Sequence, residues 1–300
     1  MTAGSDGSRA AAALFERMDP QARPRIDVRE REGIPFLEAK LPGAFRAAFT
    51  TRVGGESGAP CSSLNLDPRS ADDPAIVERN RSCLMRVLTG GISAVSGEVW
   101  TGDRPAYRLV SPAQVHGLRV VGTAEYAAAA DEDDNHGRGP ASCDGLTLHA
   151  ELDRGLAPLL LFADCVPIVL AGEVDLAVVH GGWRGIIGGI VQEGGRAMTG
   201  PPGAAFIGPS IGPCCFTVAE EVAQAFARRF GAEVVLGPPE SPRVDLWAAA
   251  HRAAVELGVL PSQVINPRLC TACNRDLFFS YRADGPVTGR QGCVVWAVTS

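Results

Sequence analysis

The sequence predicts an α+β fold in which mixed sheets are layered into a sandwich with flanking helices. Strand-like apolar runs outnumber helical segments, and they do not alternate with helices as a doubly wound parallel sheet would require. The chain has 300 residues, of which 46% are hydrophobic and 21% charged, enough to bury a large core. Nothing in that composition resembles a disordered or fibrous protein.

Residues 1–24 are rich in Ala, Gly and Arg, and only six apolar residues separate Arg9 from Glu16. That is too short for the apolar region of a signal peptide, so this stretch reads as a floppy tail on a cytoplasmic protein. Three helices are legible beyond it. Asp73 and Pro74 open one whose apolar face carries Ile76, Leu84, Val87 and Leu88. A second runs from about Ala219 to Phe230, and a third begins after Asp245 and stops at Gly258.

Strand-like runs lie at 47–51, 109–111, 119–122, 145–148, 159–162, 166–171, 174–180, 204–207 and 292–297. Loops are expected at 54–60, at the acidic stretch 131–140 and at 237–242, and none reads as a domain linker. Residues 25–300 are therefore expected to form a single domain.

With 28 basic and 34 acidic residues the net charge is −6, and no Lys/Arg-rich stretch could neutralise a row of phosphates, which argues against nucleic acid as a partner. The most apolar run, Leu156 to Ala171, is interrupted by Asp164 and two prolines and is too short to cross a bilayer. The nine cysteines are an odd number in a chain too large to need staples, so reduced thiols are expected.

The most informative stretch runs from Cys165 to His180. Two apolar runs flank Gly172-Glu173, a pair suited to a two-residue hairpin turn. That turn would place Cys165 directly across from His180 on one face, close enough for a thiolate and an imidazole to share one cation. A third ligand must come from His116, His136, His149 or His251. His116 is preferred, because Gly117 beside it allows close backbone approach.

Other motifs carry less. Gly208 to Gly212 matches G-x-S-x-G, but Pro213 follows where a nucleophile elbow needs a helix. Cys270-Thr-Ala-Cys273 lacks a second CxxC, and the adjacent Cys214-Cys215 read as packing or loop residues that cannot readily chelate one ion. The glycine-rich turn after His180, with Arg184 beside it, would attract an anion.

Taken together, Phe49-Thr-Thr-Arg52-Val-Gly-Gly55, Ser63-Leu-Asn65-Leu66, Glu78-Arg-Asn80-Arg81, Gln114-Val-His116-Gly117, Asp144-Gly145, Ala163-Asp-Cys165-Val-Pro167, Val179-His-Gly-Gly-Trp-Arg-Gly185, Gly208 to Gly212 and Phe278-Phe-Ser-Tyr-Arg282 with Thr288-Gly-Arg290 resemble the YfiH or laccase-domain family. Those proteins are variously called polyphenol-oxidase-like, purine nucleoside phosphorylase or peptidoglycan editing factor. The chain departs from the family pattern at Gly181, where Ala is usual, and at Ala283, where a second Arg is usual.

The resemblance implies a YfiH-like α/β/β/α-type sandwich and a metal site matching His116, Cys165 and His180, holding zinc, with copper as the alternative. Three protein ligands leave one position of a tetrahedral ion open, the arrangement of a catalytic zinc. The expected substrates are small molecules: adenosine, inosine or methylthioadenosine, cleaved with phosphate or deaminated. Alternatives are an amidase acting on a UDP-muramyl-serine precursor and a mononuclear-copper polyphenol oxidase. The chain is too poor in histidine for a multicopper laccase.

Arg52 and Arg184 are the candidates to hold phosphate. Asp164 is expected to point away from Cys165 by strand alternation, unless a bulge turns it to substrate or lets it orient an imidazole. Asn65 and Gln114 suit hydrogen bonding to purine or ribose. A monomer or small homo-oligomer is expected.

Overall fold

The computed structural model describes residues 3–90, 107–133 and 142–298. Two six-stranded sheets face one another. The first has the order β1 (Ile26–Arg31), β2 (Ile34–Ala39), β3 (Phe45–Thr50), β14 (Gln291–Ala297), β7 (Leu156–Phe162) and β4 (Arg108–Val110). The second runs β13 (Val264–Ile265), β10 (Ala204–Ile207), β8 (Val166–Ala171), β9 (Asp175–Gly181), β6 (Gly145–His149) and β5 (Val120–Gly122). Both are mixed: β4 joins β7, β5 joins β6 and β13 joins β10 in parallel, and the remaining pairs are antiparallel. A short ribbon, β11 (Val235–Leu236) with β12 (Arg243–Val244), lies outside both sheets.

Apolar side chains sort the layers. Phe45, Phe49, Phe162 and Val295 of the first sheet meet Leu146, Val169, Val178 and Phe206 of the second in a core between them. The other face of the first sheet, with Phe36, Leu159 and Trp296, is covered by α2 (Pro74–Thr89) through Leu84, Met85 and Leu88. The outer face of the second sheet, with Ile168, Leu170 and Val179, packs on Ile190 of α5 (Ile190–Ala197), Phe226 of α6 (Glu220–Phe230) and Ala250 of α7 (Leu246–Glu256). The result is helix, sheet, sheet, helix. Because both faces of β8 and β9 are covered, every residue of these strands is buried, which is why they read as unbroken apolar runs.

The three legible helices form, and two of them start at a side-chain cap. The Asp73 side chain accepts from Ala75 N, and the Asp245 side chain accepts from Ala248 N. The expected floppy tail is instead a helix, α1 (Ala3–Arg17), whose Ala10 and Leu14, with Met18 just beyond, sit in the inter-sheet core. The strands β1 and β2 escaped the sequence reading because β1 is a charged edge strand and β2 carries Pro35. Their turn, Glu32-Gly33 with φ of 52° and 81°, is a two-residue hairpin connection with both residues left-handed. The acidic stretch begins inside α3 (Thr123–Asp133), and its continuation at 134–141 lies outside the described residues.

The β8–β9 hairpin has a shifted register. Ala171 pairs with Leu176 and Pro167 with His180, so Glu173-Val174 form the turn and Gly172 N–H donates to Asp175 O at 2.9 Å. The shift is two residues, an even number, so Cys165 stays on the face of His180 as its diagonal neighbour. No described helix is long and apolar enough to cross a membrane.

Candidate metal centre and cleft

Three chain segments converge at one end of the second sheet. His180 stands near the end of β9, Cys165 just before β8, and His116 in the loop before β5. Their ligand atoms all lie within 4.8 Å of one another, with Cys165 Sγ 3.7 Å from His116 Nε2. The His116 and His180 rings meet edge to face at 4.7 Å. A thiolate and two imidazoles at this separation are a donor set that zinc and copper both accept.

Asp144, at the start of β6, organises two of the three ligands. Its carboxylate takes the His180 Nδ1 at 2.8 Å, leaving Nε2 for the centre. The same carboxylate accepts the backbone N–H groups of Val115, His116 and Gly117 at 3.2, 2.9 and 2.7 Å. These three bonds hold His116 at a φ of 62°, a conformation costly for a residue with a side chain. Gly182 completes the fit, since a Cβ there would fall 2.7 Å from His116 Cδ2 and 3.6 Å from Cys165 Sγ.

Electrostatics follow from this crowding. Burial favours a neutral thiol, but His180 and His116 outweigh it and bring Cys165 down to about 6. Burial likewise opposes charge on His180, yet the Cys165 sulfur and the Asp144 carboxylate hold its imidazole up to about 9. Asp144 is itself buried, and its hydrogen bonds from His180 and Gly117 keep its carboxyl below the usual range. Cys165 is thus a thiolate at neutral pH, the form that binds metals.

The centre opens into a cleft of about 590 Å³. Trp183, Phe216 and Tyr281 supply aromatic surface, and Arg69, Arg184, Arg282 and Arg290 supply charge. Arg69 pairs with Asp67 at 3.1 Å. Among the described residues no carboxylate lies within ion-pair distance of Arg184, Arg282 or Arg290. The Arg282 guanidinium donates to the Cys215 and Thr217 carbonyls, that of Arg290 to the Thr288 and Gly289 carbonyls, and that of Arg184 rests on Trp183.

The sequence candidates divide accordingly. His116, Cys165, His180 and Arg184 share the cleft. Arg52 does not line it: its guanidinium donates to the Ser62 and Arg275 carbonyls, lies 3.5 Å from Asp284 and covers the Phe279 ring. Asn65 is buried outside the cleft, donating to Ser70 and Asp72 and accepting Arg290 N–H, so it positions a cleft arginine. Gln114 borders the cleft, but both ends of its amide are taken by the Leu161 backbone.

Asp164 does turn out of the regular strand, at a φ of 93°. It then spends its carboxylate on Thr271 Oγ1, Ser280 Oγ and Arg282 N at 2.6, 2.7 and 2.6 Å, fixing the cleft wall. The orienter of the imidazole is Asp144 instead. Its only sequence signal was Asp144-Gly145 among the family segments, because the three N–H groups that it binds come from a loop 28 residues away. Arg282 and Arg290 also lay within quoted segments, and only tertiary packing sets them around one cavity.

Of the other histidines, His149 Nδ1 accepts from Glu151 N and Leu152 N in a turn, His251 is on α7, and His136 lies outside the described residues. Ser210 is buried and its Oγ accepts the Trp247 indole N–H at 2.7 Å, which excludes it as a nucleophile.

Residues 46–298 match the family model described as multi-copper polyphenol oxidoreductase laccase. The chain is 33% identical over 288 residues to the purine nucleoside phosphorylase YlmD of Geobacillus stearothermophilus, covering 88% of this chain and 95% of that protein. It is 30% identical over 267 residues to the purine nucleoside phosphorylase YfiH of Shigella flexneri, covering 86% and 96%. The human purine nucleoside phosphorylase LACC1 is 31% identical over 281 residues, and the match spans 59% of its length. The crystal structure of YlmD from Geobacillus stearothermophilus superposes with a TM-score of 0.74 at 28% identity, over 91% of this chain and 99% of that one.

Proposed function

The chain belongs to the multi-copper polyphenol oxidoreductase laccase family, and from that premise we propose that it is a purine nucleoside phosphorylase, cleaving the bond between purine and ribose with inorganic phosphate. The observation that carries this reading is the cleft itself. Three arginines without a carboxylate partner among the described residues line the same space as a His-Cys-His centre and aromatic side chains.

Guanidinium groups lacking an acidic neighbour are suited to a phosphate, which they bind through paired, charge-assisted hydrogen bonds. Arg184, which rests on the Trp183 ring, would hold the attacking phosphate, with Arg282 and Arg290 lining the same cleft. A phosphate oxygen then bonds to ribose C1′ as the C1′–N9 bond breaks. The bonding pair leaves with the purine, and the proton carried by phosphate ends on a purine nitrogen.

Trp183, Phe216 and Tyr281 offer flat apolar surface to the base. His116, Cys165 and His180 would hold a zinc or copper ion that supplies Lewis-acid polarisation. Asp144 aims both imidazoles at the centre, one through the backbone and one through the ring. Adenosine, inosine and methylthioadenosine all fall within the proposal, as does deamination of adenosine, since each presents a purine to the same cleft.

Incubation of metal-loaded protein with adenosine, with and without phosphate, tests this reading. Adenine and ribose-1-phosphate should form only when phosphate is present, and inosine would report deamination. Arg184→Ala should raise the KM for phosphate by roughly 10–100-fold, the worth of one or two charged hydrogen bonds. No purine turnover, beside cleavage of a UDP-muramyl-serine substrate, would overturn phosphorolysis in favour of amide hydrolysis.

A further inference from the structure

A second group of metal-ligating side chains lies apart from the His-Cys-His centre. After β10 the chain turns through Cys214-Cys215, and after β13 it turns through Cys270-Thr-Ala-Cys273. The strands β10 and β13 are parallel neighbours, and the bridge between Ser210 and Cys270 extends that pairing into the two turns. Ser210 N donates to Leu269 O and Thr271 N donates to Ser210 O, at 3.2 and 3.1 Å. Two cysteine pairs more than 50 residues apart in sequence are thereby brought face to face.

All four sulfurs lie within 4.8 Å of one another, and Cys273 Sγ is 3.5 Å from Cys214 Sγ and 3.4 Å from Cys215 Sγ. In a tetrahedron of thiolates around zinc, with bonds of about 2.3 Å, neighbouring sulfurs stand about 3.8 Å apart. The Gly212 N–H points at Cys270 Sγ from 3.2 Å, a donor that steadies a thiolate. Asn274 donates its backbone and side-chain N–H groups to Cys270 O, tightening the CxxC turn. Adjacent cysteines were expected not to chelate one ion readily, but the turn at 213–215 directs both side chains towards Cys273.

We propose that Cys214, Cys215, Cys270 and Cys273 bind one structural zinc ion, separate from the ion of the cleft. Thiol protons pass to solvent as Zn²⁺ enters, and four protein ligands leave no position open for reactants. The ion then clamps the cleft wall. Ile211 and Phe216 flank Cys214-Cys215 on the cleft side, and Thr271, inside the CxxC turn, donates to Asp164. This inference does not depend on which reaction the cleft performs.

Metal content and cobalt spectra of the full chain test it. Cys165→Ala removes the sulfur of the cleft centre and leaves the four cysteines intact. Titrated with Co²⁺, that variant should take up one equivalent with strong sulfur-to-cobalt charge-transfer bands and the d–d bands of a tetrahedral tetrathiolate. The double variant Cys270→Ser/Cys273→Ser should lose one equivalent of zinc per chain relative to the unaltered protein. Undiminished zinc in a folded double variant would overturn the proposal. If that variant fails to fold, absence of the tetrathiolate spectrum in Cys165→Ala overturns it on its own, as would a disulfide joining Cys273 to Cys214 or Cys215 in the purified protein.

Discussion

At the residue scale one carboxylate does the most to build the centre. Asp144 binds three consecutive loop N–H groups and the Nδ1 of His180, so it sets the position of one ligand through the backbone and of another through the ring. Asp144→Asn should weaken metal binding by 10–100-fold, the usual cost of losing such a partner, and competition with a chelating dye would measure it. Unchanged affinity would mean that the loop holds His116 without help. Gly182→Ala is a purely steric counterpart. Its backbone, at φ −65° and ψ 158°, suits alanine, but the new Cβ would lie 2.7 Å from the His116 ring. Metal affinity should fall while the denaturation midpoint hardly moves. The grouping of His116, Cys165 and His180 was legible at this scale, whereas Arg52, Asn65 and Gln114 looked like substrate contacts and instead hydrogen-bond to neighbouring backbone. Residue type does not reveal whether a polar side chain is already satisfied.

At the scale of elements, α1 shows what composition conceals. Its Ala, Gly and Arg residues suggest a loose tail, but Leu14 and Met18 are buried beneath it, and Arg17 reaches Asp276 at 2.8 Å. Leu14→Ala should cost about 2–5 kcal/mol, read from the denaturant midpoint, because it leaves a cavity in the core. The ion pair is more exposed and worth no more than about 1 kcal/mol. The hydrogen bond from Arg17 holds the Asp276 carboxyl below its usual range, so its contribution is present above the ordinary carboxylate pKa and is lost as pH falls through the lowered value. Protection of the α1 amides, corrected for their intrinsic exchange rates, should therefore fall selectively on acidification below about pH 4. Arg17→Ala should show the reduced protection already at neutral pH, without that acid step. The β8–β9 hairpin teaches the complementary lesson: turn chemistry put its register two residues out, yet strand alternation kept Cys165 and His180 on one face.

For the molecule as a whole, the space between the sheets is the main core and also the support of the centre. Phe49, Phe162 and Phe206 meet there, and the Phe162 ring lies 5.5 Å from that of His180. Phe206→Ala should destabilise the chain by about 3–5 kcal/mol, lowering the urea midpoint without changing the slope. A change confined to metal binding, with the midpoint unmoved, would show that the inter-sheet core does not carry the fold. The centre stands at strand ends bordering this core, where the packing of both sheets fixes which loops can meet.

Apolar runs and caps in the sequence determined the α+β class, the helices α2, α6 and α7 and most strands, because burial and capping act over a few residues. The period-two alternation of a hairpin was enough to nominate Cys165 with His180. Only the tertiary structure decided that Asp144 aims both imidazoles, that Arg282 and Arg290 join Arg184 around one cavity, and that Cys214-Cys215 meet Cys270 and Cys273. Each of these contacts joins segments brought together by sheet order and layer packing, and no local periodicity records which distant loops two packed sheets will set side by side.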